Sequence, residues 1–288
     1  MFIESYKGTR RFAMKKIKKK AVKKKPFIIE LNEELDSKVD AAMTLIEEGR
    51  IDQGAVIMEQ LMSERPDYHS VQYGMGVVHA FNRRYDEAIR CFKEALEIFP
   101  YFVEAQFNMA TAYKEKLDLG NAIRAFRRVT EISNSNNDLA KQAESFLSNL
   151  EEHIRKKEGI SLDLHLKAMD IFKEACDCMA RQEWEKAIAS FRACLYILKD
   201  HYQSFGNIGL CYAKLGKREE ALASFDRSLQ INPDYEPAIV NRAVVAGMKD
   251  DKDLPEGPVE IMEYEKDYTL KKKSYIAEII NSIKHNPS

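Results

Sequence analysis

The feature that narrows this chain most is a repeat period of about 34 residues, the length of a helical pair in a stacked array. Ala88 and Phe92 return one period later as Ala122 and Phe126, and Ala187 and Phe191 return as Ala221 and Phe225. Several residue types recurring together at that spacing predict a stack of small helical units. No such unit buries its apolar face alone, so each relies on its neighbours.

The clearest copy reads Phe205-x-x-Ile208-Gly209-x-x-Tyr212, Ala221-x-x-x-Phe225, Pro233. A second reads Met75-Gly76-x-x-His79, Ala88-x-x-x-Phe92, Ala95, Pro100, and a third Met109-Ala110-x-x-Tyr113, Ala122-x-x-x-Phe126 with Asn134 in the Pro slot. Pro66 stands one period before Pro100, which sets a degenerate copy upstream with Ala42, Leu45, Gly54, Met58 and Leu61 in its slots. A fourth has Ala175-x-x-Cys178 and Ala187-x-x-x-Phe191, and a last half copy keeps only Ala243 and Ala246. Each offset has a mechanical reason. Gly76, Ala110, Ala175, Gly209 and Ala243 are small so that a second helix can cross closely, and the alanines of that second helix are the other half of the crossing. One turn further on, the phenylalanines fill the wedge between units.

Residues 35–250 thereby resemble the tetratricopeptide repeat family. The resemblance implies an all-α superhelix that acts as a non-catalytic scaffold and holds a protein or peptide in its concave face.

Two irregularities divide the array. The interval from Ala122 to Ala187 falls three positions short of two full periods. Residues 137–157 read as one long amphipathic helix, with Leu139, Ala143, Phe146, Leu147, Leu150 and Ile154 on one side. Gly159 ends it, and Ser161 or Asp163 caps the next. The expected organisation is a disordered Lys-rich arm (1–29), a first block of about three repeats plus the long helix (30–157), a second block of two repeats and a half-repeat helix (158–250), and a linker with a C-terminal helix (251–288). That last helix carries Tyr275, Ile276, Ile279, Ile280 and Ile283 on one stripe. It is read as a cap on the array, with occupation of a groove or self-association as the alternatives.

The arm holds eleven Lys or Arg against one acid, a net of +10 in a chain of net −1. Such a segment is too charged and too poor in apolar residues to fold alone. Lys15, Lys16, Lys18, Lys19, Lys20, Lys23, Lys24 and Lys25 form its densest run, and Met14 at its head is a second candidate start. The run predicts attraction to nucleic acid or another anionic surface, without base stacking and steeply weakened by salt. It also resembles a nuclear import signal. The alternative function is therefore a nucleic-acid- or ribosome-associated factor that touches its target through this arm.

With 45% hydrophobic and 32% charged residues the chain predicts a soluble globular protein with almost no strand. No apolar run reaches the length of a membrane span, and the run after Lys25 is too short for export, so an intracellular, cytoplasmic location is expected, with the nucleus as the alternative in a nucleated cell. The five cysteines fit packing roles in a reducing compartment. Cys176 and Cys178, two apart on a helix, diverge and cannot chelate one ion. No catalytic constellation, metal site or cofactor site is predicted.

The candidate groove follows from helix geometry. A residue two before the small crossing residue points away from the crossing, and Asn108, Asn207 and Asn241 share that offset. An Asn both donates and accepts, which suits the backbone of an extended peptide. In peptide-binding members of the family, asparagines at the matching slot form such a ladder. Here the ladder is partial, because Gly74 and Lys173 take the offset in two copies. Tyr73, Val77, Phe107, Phe172, Leu210, Val240 and Val244 are placed around it, each with inter-repeat core as the competing role. The family's clamp for acidic carboxyl tails is missing, since Val39, Met43, Tyr73 and Val77 stand where Lys and Asn are required.

Overall fold

The structure is a computed structural model that describes residues 31–247, and among these all regular structure is helical. Each repeat copy becomes two helices. In chain order these are α1 (Glu33–Glu47) and α2 (Ile51–Glu64), α3 (His69–Phe81) and α4 (Tyr85–Ile98), α5 (Val103–Glu115) and α6 (Leu119–Ile132). A single long helix follows, α7 (Asp138–Glu158). Then come α8 (Leu162–Ala180) and α9 (Trp184–Ile197), α10 (Tyr202–Lys214) and α11 (Arg218–Ile231), and α12 (Glu236–Gly247) by itself. The N-terminal arm and the C-terminal segment lie outside the described residues.

The chain forms two compact units that meet in sequence inside α7, between Ser148 and Asn149. In the first, α1 packs on α2 and α3, α3 on α4, and α4 on α5. Its far end is closed by the front half of α7, whose Leu139 and Ala143 join Phe107, Ala110, Ala122 and Phe126 in one cluster, with Phe146 tilted on Phe126 at 4.7 Å. The second unit holds the rear half of α7, where the Glu151 carboxylate accepts a hydrogen bond from the Leu162 backbone N–H (2.9 Å). Gly159, at φ +70°, ends α7, and the Ser161 hydroxyl accepts from Leu164 N–H to start α8. The shortened interval between Ala122 and Ala187 thus arises from one 21-residue helix followed by a 19-residue α8, where the other copies use first helices of 13 to 15 residues.

The crossing residues behave as their small size requires. Ala42, Ala110 and Ala175 are wholly buried, as are Ala88, Ala122, Ala187 and Ala221 on the second helices. At the two glycines the approach is closest. A Cβ added at Gly76 would lie 2.6 Å from a ring carbon of Phe92, and one at Gly209 would lie 2.7 Å from Phe225. Three residues beyond Phe92, Phe126, Phe191 and Phe225, the slot filled by Ala95, Val129, Cys194 and Ser228 is also fully buried. The hydroxyl of Ser228 is satisfied there by donating to the Tyr202 carbonyl (2.8 Å).

The turn between the two helices of a unit has its own period. Gly49, Arg83 and Leu117, then Gln182 and Gly216, take left-handed backbone angles, one repeat period apart within each set. Only two of the five are glycine, so the others hold a conformation that costs an L-residue about 1 kcal/mol.

Gly209→Ala should destabilise the second unit. Alanine adds about 1 kcal/mol of helix propensity, but forcing the Phe225 ring aside costs roughly 1–3 kcal/mol. The expected outcome is a Tm lower by about 2–4 °C in a thermal melt. Gly120→Ala, whose Cβ would approach only the Arg124 guanidinium at 3.4 Å, should raise it.

Candidate functional site

The three asparagines share one helical offset and meet three different environments. In the first unit Asn108, on α5, is buried and its Nδ2 donates to the Tyr73 hydroxyl on α3 (3.0 Å). Tyr73 is held between Phe92 and Phe102, with ring centroids at 6.0 and 4.8 Å, and Val77 lies in the same core cluster. Phe107 sits edge-on to Phe126 at 5.5 Å. At Gly74, the break in the ladder, a Cβ would come 2.6 Å from the Met58 methyl, so a methionine of the preceding unit fills the space of the side chain. Polar groups beside these are matched internally: the Ser70 hydroxyl donates to Asp36 (3.0 Å) and the Gln72 amide to the Pro66 carbonyl (2.7 Å).

In the second unit Asn207, on α10, is 0% exposed, and neither its Nδ2 nor its Oδ1 has a hydrogen-bond partner. One turn earlier on the same helix face, the buried Oε1 of Gln203 is also unpartnered. Leu210, buried, continues that face, giving a strip of two amides and an apolar side chain. The reason for the orphaned amide lies one unit away. Tyr73 precedes Asn108 by one period and one position and supplies its hydroxyl; the residue at the same interval before Asn207 is Phe172, which has none. Asn241, on α12, is buried at the same offset, and the residue at the same interval before it is Gly206. Lys173 is exposed on α8 and Val244 half-buried on α12. The ladder offset thus located Asn207 and missed Gln203, whose signal is its four-residue spacing from that asparagine.

A buried polar cluster lies beside this strip. The Phe172 ring packs edge-on to His201 at 4.9 Å and against Phe191 at 5.4 Å. His201 Nδ1 is 2.8 Å from the Ser204 hydroxyl, and burial pushes its pKa down to about 4, opposed by the Glu158 charge and reinforced by His165. His165 Nδ1 donates to the Glu158 carboxylate at 2.6 Å. Burial also raises the Cys194 thiol, against a hydrogen bond with Ser204, and lifts Cys211 to about 12. Thiols held so high are packing groups and poor nucleophiles.

Comparison with known proteins finds the tetratricopeptide repeat family at residues 69–102, 103–136 and 202–235. The chain carries tetratricopeptide repeats. Proteins of this kind are scaffolds for protein binding, and their fold is generally non-catalytic. The matches cover the pairs α3–α4, α5–α6 and α10–α11, and the two degenerate copies of the tetratricopeptide pattern, α1–α2 and α8–α9, follow from their packing. Among curated relatives, the peroxisomal targeting signal receptor of Saccharomyces cerevisiae is 22% identical over 216 residues, covering 69% of this chain and 35% of the receptor. Anaphase-promoting complex subunit 3 of Schizosaccharomyces pombe is 34% identical over 55 residues, 19% of this chain and 8% of that one. The match therefore spans about a third of the first relative and less of the second. Of solved structures, YrrB, described as a TPR protein with an unusual peptide-binding site, is 19% identical at a TM-score of 0.35, covering 72% of this chain and 92% of its own. The P58(IPK) TPR domain is 16% identical at 0.39, covering 87% and 74%. No helix among the described residues is long and apolar enough to cross a membrane.

Phe172→Tyr restores beside Asn207 the hydroxyl that Tyr73 gives Asn108, and should raise the unfolding free energy by about 1 kcal/mol in a urea titration. For His201 the folded pKa lies below the unfolded value of 6.5. The unfolded chain therefore binds the proton first as pH falls, and stability is lost from about pH 6.5 downwards and is unaffected above it. The loss assigned to this residue by pH 4.5 is about 2 kcal/mol. Denaturant titrations at pH 7.5 and 4.5 should show a smaller drop for His201→Gln than for the unaltered protein.

Proposed function

We propose that this protein is a non-catalytic adaptor whose second unit binds an extended segment of another protein, with Asn207 and Gln203 pairing to the backbone of that segment. The observation that carries the reading is the fully buried, unpartnered amide of Asn207. A buried amide without a partner costs roughly 1–3 kcal/mol, and a peptide backbone offers both a carbonyl for Nδ2 and an N–H for Oδ1. Two amides one helical turn apart suit a strand-like ligand, which repeats its backbone groups at regular intervals and is indifferent to side-chain identity. Val244, half-buried on α12, would add an apolar contact for one side chain of the ligand. One relative is named as a receptor for a targeting signal, and recognition of a signal is a binding task of the kind proposed here.

In the first unit the corresponding polar groups are already bonded within the fold, Asn108 to Tyr73 and Ser70 to Asp36, so binding is assigned to the second unit.

Asn207→Leu separates a binding role from a structural one. An apolar side chain with the same branching and heavy-atom count removes the unsatisfied amide and should stabilise the fold by about 1 kcal/mol. Binding of arrayed extended peptides, measured as dissociation constants for the best binders of the unaltered protein, should weaken by about tenfold with the loss of one to two hydrogen bonds. Unchanged constants would remove the reading.

A further inference from the structure

Among the described residues α12 is a first helix without a second. In complete units two positions of the first helix face its own partner. The earlier one is held by Gln106, whose amide donates to the Ala125 carbonyl on α6 (3.2 Å). The later one is the crossing residue, with Gly76 against Phe92 and Gly209 against Phe225. On α12 these positions are Ile239 and Ala243. Ile239 is 46% exposed and Ala243 is exposed, whereas Ala42, Ala110 and Ala175 are fully buried at the crossing slot. Val240, also 46% exposed, and exposed Ala246 complete the stripe. The opposite side of α12 is fixed in place: Ala238, Asn241 and Val245 are buried, and α12 packs on α10 and α11. The Arg218 guanidinium holds its last carbonyls, at Val245 (3.2 Å) and Ala246 (2.8 Å). A well-seated helix therefore presents an apolar stripe built to receive another.

We propose that residues 268–284 of the same chain dock on this stripe of α12 as an amphipathic helix, closing the second unit. The in-register second helix would start one repeat period after Arg218, at Lys252, but Pro255 and Pro258 with Gly257 lie inside that stretch and break it. The next stretch with helical periodicity is the one carrying Tyr275, Ile276, Ile279, Ile280 and Ile283. Its large side chains complement the small Ala243 and Ala246, the same pairing of small first-helix and large second-helix residues that builds the complete units. Residues 248–267 give a tether that reaches about 60 Å when extended, while neighbouring helices lie only about 10 Å apart. A tether of that kind sets a local concentration near millimolar, which favours this segment over a second copy of the chain. The docked helix would also present its charged side outward and remove an apolar end surface, as terminal elements of repeat arrays do. The surface differs from the Asn207 strip, so this inference stands apart from the proposed peptide binding.

Hydrogen exchange on the full-length protein tests it, comparing the unaltered chain with Ile279→Asp/Ile280→Asp at low and high protein concentration. The substitutions lie outside the repeat core, and α3 and α4 serve as internal references. Amides of α12 should exchange about tenfold faster in the variant than in the unaltered chain, independently of concentration, with the references unchanged. Equal α12 exchange in the two proteins would overturn the proposal. Protection of α12 that disappears on dilution would overturn it in favour of a second copy as the occupant.

Discussion

The close approach of a small first-helix residue to a second-helix phenylalanine, seen at Gly76 with Phe92 and Gly209 with Phe225, is the contact on which the remaining structure depends. Where Gly76 and Gly209 meet Phe92 and Phe225, helix surfaces come close enough that no Cβ fits without displacing a ring. That approach brings the second-helix alanines into the crossing and leaves the phenylalanine ring to fill the wedge toward the next unit. Phe92, Phe191 and Phe225 are fully buried, and each such side chain contributes about 1.5–3 kcal/mol of burial that an isolated unit would not obtain. The strained left-handed residues Arg83, Leu117 and Gln182 are tolerable because this packing fixes the angle at which the two helices must meet.

The period, the crossing residues and the phenylalanine wedges were legible in the sequence because each is decided inside one unit. The exception inside α7 was legible too, since its 3.6-residue apolar spacing runs past the point where a turn should fall. The left-handed turn positions came only from the structure, where glycine holds two of them, Gly49 and Gly216. Elsewhere Arg, Leu and Gln give no local sign of the conformation.

The asparagine ladder shows where single-unit reading stops. Its rungs share one offset, yet what happens at each is set by a residue one period and one position earlier in the neighbouring unit: a tyrosine hydroxyl for Asn108, a bare phenylalanine for Asn207. The apolar residues expected around the rungs were weighed between groove and core. Tyr73, Val77, Phe107, Phe172 and Leu210 are buried members of the core clusters, while Lys173 is exposed and Val244 half-buried. Pairing across units is a tertiary fact, and no periodicity within one unit encodes it.

That pairing also gives the two units different chemical characters. In the first, Asn108 is bonded to Tyr73 and Ser70 to Asp36, while the buried Nδ1 of His79 has no hydrogen-bond partner. The second leaves the Asn207 amide and the Oε1 of Gln203 unpartnered, a combination that costs the fold free energy. A tyrosine in place of Phe172 would remove much of that cost with one oxygen atom. That uncompensated amide, at an offset where Asn108 finds the Tyr73 hydroxyl, is the ground on which peptide binding is proposed for the second unit.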